Sequence, residues 1–448
     1  MSHPPRAKHH GIAACRGIEH VPCSVHHDQG RFGRLFPNLP GLRLPDEALE
    51  ALAVTMRESD NAATESKTPA GFTFLGQFID HDITLDTTSS LDQQIDPTAV
   101  RNMRTPSLEL DSVYGAGPDA NPFLYDQERP GRLLTGTEDN PDDVPRNRQG
   151  VALIGDPRND ENGIISQLQL AFLRFHNGVL SLLESGQRFG PRYHEDDFRE
   201  AQRLVRWHYQ WLIVHEFLPT VVDVKMLESI EEDGPSLYCS HTPFIPVEFS
   251  VAAYRYGHSQ VRGSYRLNDD KVAQLFQPPA DALTSFAPVP RENVVDWRYF
   301  FVSNSSVKPQ RGRRIDTKIV DELYELPFAV PSSLPLRNLK RGQTFSLPSG
   351  EAVARRMGVE PIAPEVLGTD LEQHPLWFYL LKEAEISGDD RLGEVGGRIV
   401  AETLLGLLRC DPESYLRVAP AWSPTLPARY KDYFGMSDLV AIANEFGR

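Results

Sequence analysis

Residues 164–185, IISQLQLAFLRFHNGVLSLLES, set apolar side chains on nearly every face of a helix, and this most limits what the chain can become. A helix apolar on most sides must be buried on most sides, so other elements have to wrap around it. A second long helical pattern, DDFREAQRLVRWHYQWLIVHEFLPTVV, follows at 196–222 and ends near Pro219. Helical patterning also starts near Pro45, covers about 71–86 and 246–258, and resumes near Gly350, Leu376, Leu392 and Ser437. Alternating strand patterns are sparse, and no repeat or linker divides the chain. The expected fold is mainly α: one large helical domain over 46–448 with few short strands, after an irregular extension over 1–45. Residues 87–150 are rich in Asp, Asn, Pro and Gly and read as long loops.

At 448 residues the chain can bury a large core without disulfide support. Its formal net charge of −16 repels phosphate backbones, so nucleic acid is not an expected partner. The carboxylates are scattered; they suit solubility and are compatible with a hard cation such as calcium. Cys15, Cys23, Cys239 and Cys410 form no CxxC pair, which argues against a zinc knuckle or redox dithiol. Cys15 and Cys23 can bridge or stay reduced. His3, His9, His10, His20, His26 and His27 lack regular ligand spacing and read as loop histidines. The first residues carry no apolar signal core, and no run of 18 apolar residues exists. The expectation is a cytoplasmic protein without a membrane span, with signal-less export left open.

Four blocks carry chemistry. In GFTFLGQFIDHDITLD (71–86), Gln77 and His81 are four apart and share a helix face. Asp80 and Asp82 point about 100° to either side of His81. This can be a surface turn with a satisfied histidine, a carboxylate–histidine metal site or a proton-handling site. In GDPRNDEN (155–162), a turn precedes Arg158, and Glu161 follows three residues later. Arg158 can be an ordinary loop arginine, and Glu161 a charge favoured at a helix N-terminus. His176 and Asn177, further along, read as a packed, hydrogen-bonded pair. In FSVAAYRYGHSQVR (249–262), His258 can be an axial iron ligand or a satisfied core histidine. In LPLRNLKRGQTFSLP (334–348), Asn338 can accept a hydrogen bond from a ligand histidine and so fix its tautomer.

Together and in order, these blocks resemble the animal-type haem peroxidases of the peroxidase–cyclooxygenase superfamily, over about residues 71–348. The resemblance implies a helical fold around a central haem b and reduction of hydrogen peroxide through an oxoferryl intermediate. It makes His81 the distal proton carrier, Arg158 the distal arginine and Gln77 the residue that orders water or halide. It makes His258 the proximal iron ligand, Asn338 its partner, Arg255 a neighbour of a haem propionate, and Arg341 a support of the same region. Asp80 and Glu161 match two carboxylates that form ester links to haem. Where some relatives carry a methionine that adds a third link, this chain has Asn162. That puts chloride oxidation in doubt and leaves bromide, iodide, thiocyanate or phenols as donors.

RTPSLELDSVYG (104–115) resembles the family's calcium loop, with Asp82, Thr105, Ser107 through its carbonyl, Glu109 and Asp111 as implied ligands. Glu109 stands where an aspartate is usual. If calcium binds, it ties the distal helix to this loop. The loops around 87–150 and 260–300 are expected to shape the substrate mouth. One rival is a fatty-acid dioxygenase of the same superfamily, which uses a tyrosine where this chain has Arg255. Another is a non-catalytic adhesion protein stabilised by haem and calcium. The intact trio of Gln77, His81 and Arg158 argues against the second.

Overall fold

A computed structural model describes residues 32–58, 65–85, 102, 104–240, 242–276, 282–327 and 329–447. The N-terminal histidines, Cys15, Cys23 and most of 86–103 lie outside the described residues. The central element is helix α4 (Gly163–Glu184), in which every residue from Gly163 to Leu180 is buried. Its Asn162 caps the first turn by accepting the Ile165 N–H at 3.0 Å.

Further helices precede and follow α4 in the chain. They are α1 (Asp46–Thr55), α2 (Gly71–Ile83), the short α3 (Asp111–Tyr114), α5 (Asp197–Leu212) and α6 (Val224–Asp233). They continue as α7 (Leu334–Thr344), α8 (Gly350–Met357), α9 (Leu376–Ser387), α10 (Glu394–Cys410) and α11 (Met436–Phe446). Phe78 of α2 stacks on Phe172 of α4 at 4.4 Å, and both meet the Tyr209 ring of α5 edge-on. These three rings lock α2 and α5 to the central helix. On another side α11 comes so close that a Cβ at Gly178 would sit 2.9 Å from the Ile442 carbonyl.

Strands are short among the described residues. β1 (Phe32–Gly33) pairs parallel with β3 (Ile245–Pro246), β2 (Glu65–Pro69) antiparallel with β6 (Arg311–Arg313), and β4 (Ser264–Arg266) antiparallel with β5 (Val272–Gln274). The mainly α expectation holds. Residues 32–45 contain little regular structure yet pack on the body. Phe36 is buried, and Leu35 and Phe36 donate their N–H groups to Glu248. The packed body therefore begins before residue 46. No described helix is long and apolar enough to cross a membrane.

The helix expected over 246–258 is a π-helical turn, Glu248–Ala252, followed by a 3-10 segment, Ala253–Gln260. Between them Ala252 leaves helical geometry (φ −128°, ψ −73°). Carbonyls that a regular helix would use internally are taken by side chains: Arg255 Nε binds the Ser250 carbonyl, and Trp377 Nε1 the Arg255 carbonyl. Just before Gly350, α7 brings Asn338 and Arg341 to the site.

Candidate active site

Residues far apart in sequence share one cavity of about 240 Å³. Asp80 and Thr84 reach it from the end of α2, and Arg158 from the turn Pro157–Asp160. Ser250 and Arg255 reach it from the irregular segment, and Arg337, Asn338 and Arg341 from α7. The blocks containing His81 and His258 therefore face a common space.

Beside Asp80, and not itself among the residues lining the cavity, His81 is buried with Nδ1 2.7 Å from Asn159 Oδ1. Its Nε2 lies 3.9 Å from Glu161 Oε1, and Gln77 Nε2 donates to that same oxygen. Gln77, His81 and Glu161 thus converge; the shared face of Gln77 and His81 follows from their spacing on α2, whereas Glu161 joins them only through the fold. Desolvation raises the Glu161 carboxyl above its ordinary value, while His81 and Arg158 pull it back. Asp80 accepts from Thr84 Oγ1 at 3.0 Å.

Arg158 lines the cavity while its Nη2 binds the His81 carbonyl at 3.0 Å, the Thr84 carbonyl, and Asp156 at 2.8 Å. It therefore caps the C-terminal end of α2, where free carbonyls attract a cation. Burial alone would raise Asp156. The hydrogen bonds and charges of Arg158 and Arg104 outweigh it and hold the carboxyl well below the usual range. Arg104 also pairs with Asp111 at 3.2 Å and binds the Gly155 carbonyl at 2.9 Å. Arg104, Asp156 and Asn159 were not anticipated. Asp156 had a local signal, since an Asp before Pro-Arg is a natural N-cap. The other two depend on contacts across the chain.

On the side of Arg255 and Asn338, desolvation and then Arg255 lower the His258 pKa to about 3, so its imidazole is neutral at ordinary pH. Asn338 Nδ2 lies 2.8 Å from His258 Nδ1, and Arg255 Nη1 donates to Asn338 Oδ1 at 3.0 Å. Guanidinium has donors only, so the amide oxygen faces Arg255 and the amide NH2 faces the histidine. The sequence expectation had Asn338 accepting from His258; here it donates, which leaves the ring proton on Nε2. For Nε2 to bind a metal, the amide must turn over and Arg255 must give up that oxygen. Arg341 lies over the Phe345 ring at 4.7 Å. Arg337, also not anticipated, adds a third cation to this wall.

The expected calcium residues Asp82, Thr105, Ser107, Glu109 and Asp111 are all buried. Asp82 Oδ2 accepts the Leu110 N–H at 3.2 Å, and its Oδ1 has no hydrogen-bond partner. Burial, then Asp111 and Glu109, raise the Asp82 carboxyl well above its ordinary value. Among the described residues no three His, Cys, Asp or Glu side chains are already gathered in a metal-holding geometry. Arg104 is the cation next to Asp111. His176 is a packed residue, with Nδ1 3.0 Å from the Tyr114 hydroxyl and Nε2 2.9 Å from the Gly131 carbonyl.

Residues 85–365, more than half of the chain, match the sequence profile of the animal haem peroxidases. The chain belongs to that family. It is 25% identical over 285 residues to peroxidasin from Drosophila melanogaster, covering 56% of this chain and 18% of that one. It is 25% identical over 234 residues to myeloperoxidase from Mus musculus, covering 49% and 31%. The chain thus spans less than a third of these relatives' length. Among solved structures, peroxidase A from Dictyostelium discoideum superposes with a TM-score of 0.60 at 16% identity, covering 86% of this chain and 87% of that one. A fatty acid alpha-dioxygenase from Oryza sativa gives the same TM-score and identity, covering 86% and 76%. These two similarities concern the fold. Membership of the animal haem peroxidases implies a haem cofactor.

Proposed function

We propose that the chain is a haem peroxidase that reduces hydrogen peroxide and oxidises small donors such as phenols, bromide, iodide or thiocyanate. The observation that carries this is the shared cavity, with Asp80 and Arg158 on the His81 side and Arg255 and Asn338 on the His258 side. The donor set fits haem b. Arg255, Arg337 and Arg341 suit its carboxylates. A neutral, half-buried imidazole at His258 suits its iron once the Asn338 amide has turned. Bound there, haem would supply the iron that takes oxidising equivalents from peroxide and passes them to a donor.

The chain's own residues handle protons and charge. His81, with Nε2 on the side of Gln77 and Glu161, takes the peroxide proton and returns it to the leaving oxygen. Arg158, held by Asp156, offers fixed positive charge as the O–O bond separates. Gln77 orders water or halide beside His81. In this reading Asp80 and Glu161 form the ester links to the haem edge; Asp80 lines the cavity and Glu161 lies beside His81. Asp82, Thr105, Ser107, Glu109 and Asp111 hold calcium, with the buried, unpartnered Asp82 Oδ1 as the supporting observation. In this reading the loops around 87–150 and 260–300 shape the substrate mouth; in support, Phe286 of the second donates its N–H to the Asp160 carbonyl, next to Glu161, at 2.8 Å.

The dioxygenase reading draws on the shared fold, but Arg255 occupies the position where that chemistry needs a tyrosine. The deciding experiment is an absorption spectrum of the haem-loaded chain before and after peroxide, with guaiacol as donor. A peroxide-dependent spectral change with dye turnover is the expected outcome. Oxygen uptake with linoleate and no dye turnover would transfer the assignment to the dioxygenases.

A further inference from the structure

Beyond these assignments, a line of buried amides runs from the Ser112 carbonyl to His81. We propose that Asn159 and Gln169 are positioning residues that lock His81 in its Nδ1–H tautomer, with the Ser112 carbonyl setting the direction of the lock. The inference rests on the proposed proton role of His81 and deepens it.

The hydrogen bonds run in one direction. Gln169 Nε2 donates to the Ser112 carbonyl at 3.1 Å. That oxygen also receives the Gly155 N–H at 3.0 Å, and a carbonyl can only accept. Gln169 must therefore turn its NH2 toward Ser112 and its oxygen toward Asn159. Asn159 Nδ2 donates to that oxygen at 2.7 Å. The Asn159 oxygen is thus left facing His81 Nδ1 at 2.7 Å, and the ring proton has to sit on Nδ1. Turning Asn159 over would set its oxygen against Gln169 Oε1. Turning both over would set Gln169 Oε1 against the Ser112 carbonyl. Amide orientation is often ambiguous, but here a backbone group decides it. Asn159, Gln169 and Ser112 are all 0% exposed, so no solvent is available to replace a mismatched partner.

With Nδ1 carrying the proton, Nε2 keeps a lone pair on the side of Gln77 and Glu161, where a peroxide proton must be received. Glu161, 3.9 Å from Nε2, is a rival that as a free carboxylate would draw the proton to Nε2. The amide line opposes that rival. It starts next to Asp111, so the proposed calcium loop anchors the tautomer of the base through its backbone.

The test uses the full haem-loaded chain and two readouts. One is the rate constant with peroxide; the other is cyanide binding followed spectrally against pH, since hydrogen cyanide must also surrender a proton to His81. For Asn159→Leu, both rates are expected to fall on the order of 10- to 100-fold, with the haem spectrum retained. Asn159→Asp keeps an acceptor against Nδ1–H; it should restore the rates and move the acidic limb of the cyanide profile upward. 15N spectra of histidine-labelled cyanide complex should show His81 protonated at Nδ1 in the wild type and in Asn159→Asp. Unchanged cyanide and peroxide profiles in Asn159→Leu, or an Nδ1-unprotonated wild type, would overturn the lock while leaving the peroxidase reading intact. If Asn159→Leu fails to fold, Asn159→Asp and the wild-type spectrum decide alone: an unmoved limb counts against the lock. A wild type that reacts with neither ligand removes both.

Discussion

Asp80 and Glu161 are both carboxylates near the cavity, yet they arrive differently. Asp80 is presented by α2 itself and is steadied by Thr84 one turn later. Glu161 follows a 3-10 turn and is steadied from across the fold by Gln77. If both ester-link haem, acid–acetone should extract almost none from the wild type. Asp80→Val and Glu161→Gln should each raise the extractable fraction, and the double variant should release all of it. Quantitative extraction from the wild type would exclude the links. The two histidines differ as well. The amide line behind His81 ends on a carbonyl, which can only accept; the amide beside His258 is read by Arg255, which can only donate. The same side-chain chemistry therefore favours opposite tautomers on the two walls before haem binds.

Among the elements, the contact between the 104–115 loop and the turn before α4 organises the His81 wall. Gly155 makes it possible, since a Cβ there would lie 2.4 Å from the Asp111 carbonyl and 2.6 Å from the Ser112 carbonyl. Both obstacles are backbone and cannot swing aside. Gly155→Ala should therefore cost roughly 1–3 kcal/mol in denaturant unfolding and blunt cyanide binding together. Calcium acts on the same junction in the proposed reading. Chelation should broaden the haem spectrum and lower the melting temperature, and restoring calcium should reverse both. A spectrum indifferent to metal removal would argue that the Arg104 pair with Asp111 and Asp156 is sufficient.

For the whole molecule, the start of α11 is fixed by a titratable contact with the Ile213–Phe217 turn that follows α5. Glu216 accepts the Met436 N–H at 2.8 Å, at the start of α11. Burial pushes its pKa from 4.5 up to about 7; Met436 N–H, the Tyr433 hydroxyl and Arg429 oppose the rise, and Asp438 adds to it. A raised carboxyl favours the protonated folded state. Its contribution is complete below pH 4.5 and is lost as pH climbs through 7. A shift of that size is worth roughly 3 kcal/mol. Melting temperatures should therefore decline between pH 5 and 8, and Glu216→Gln should flatten that decline. An identical slope in the variant would place the effect elsewhere.

The order of helices, the burial of α4 and the shared face of Gln77 and His81 were legible because they are periodic, and periodicity is a local property of the sequence. The motif order carried the family for the same reason, since each block is contiguous. Asn159, Gln169, Arg104 and Arg337 were not legible. Their significance lies in partners such as the Ser112 carbonyl or Asp111, which only the folded chain brings near. The direction of the Asn338 amide likewise depends on Arg255, 83 positions away. Local sequence determined which side chains each element carries; tertiary packing decided which atoms face each other, and with that where protons can sit.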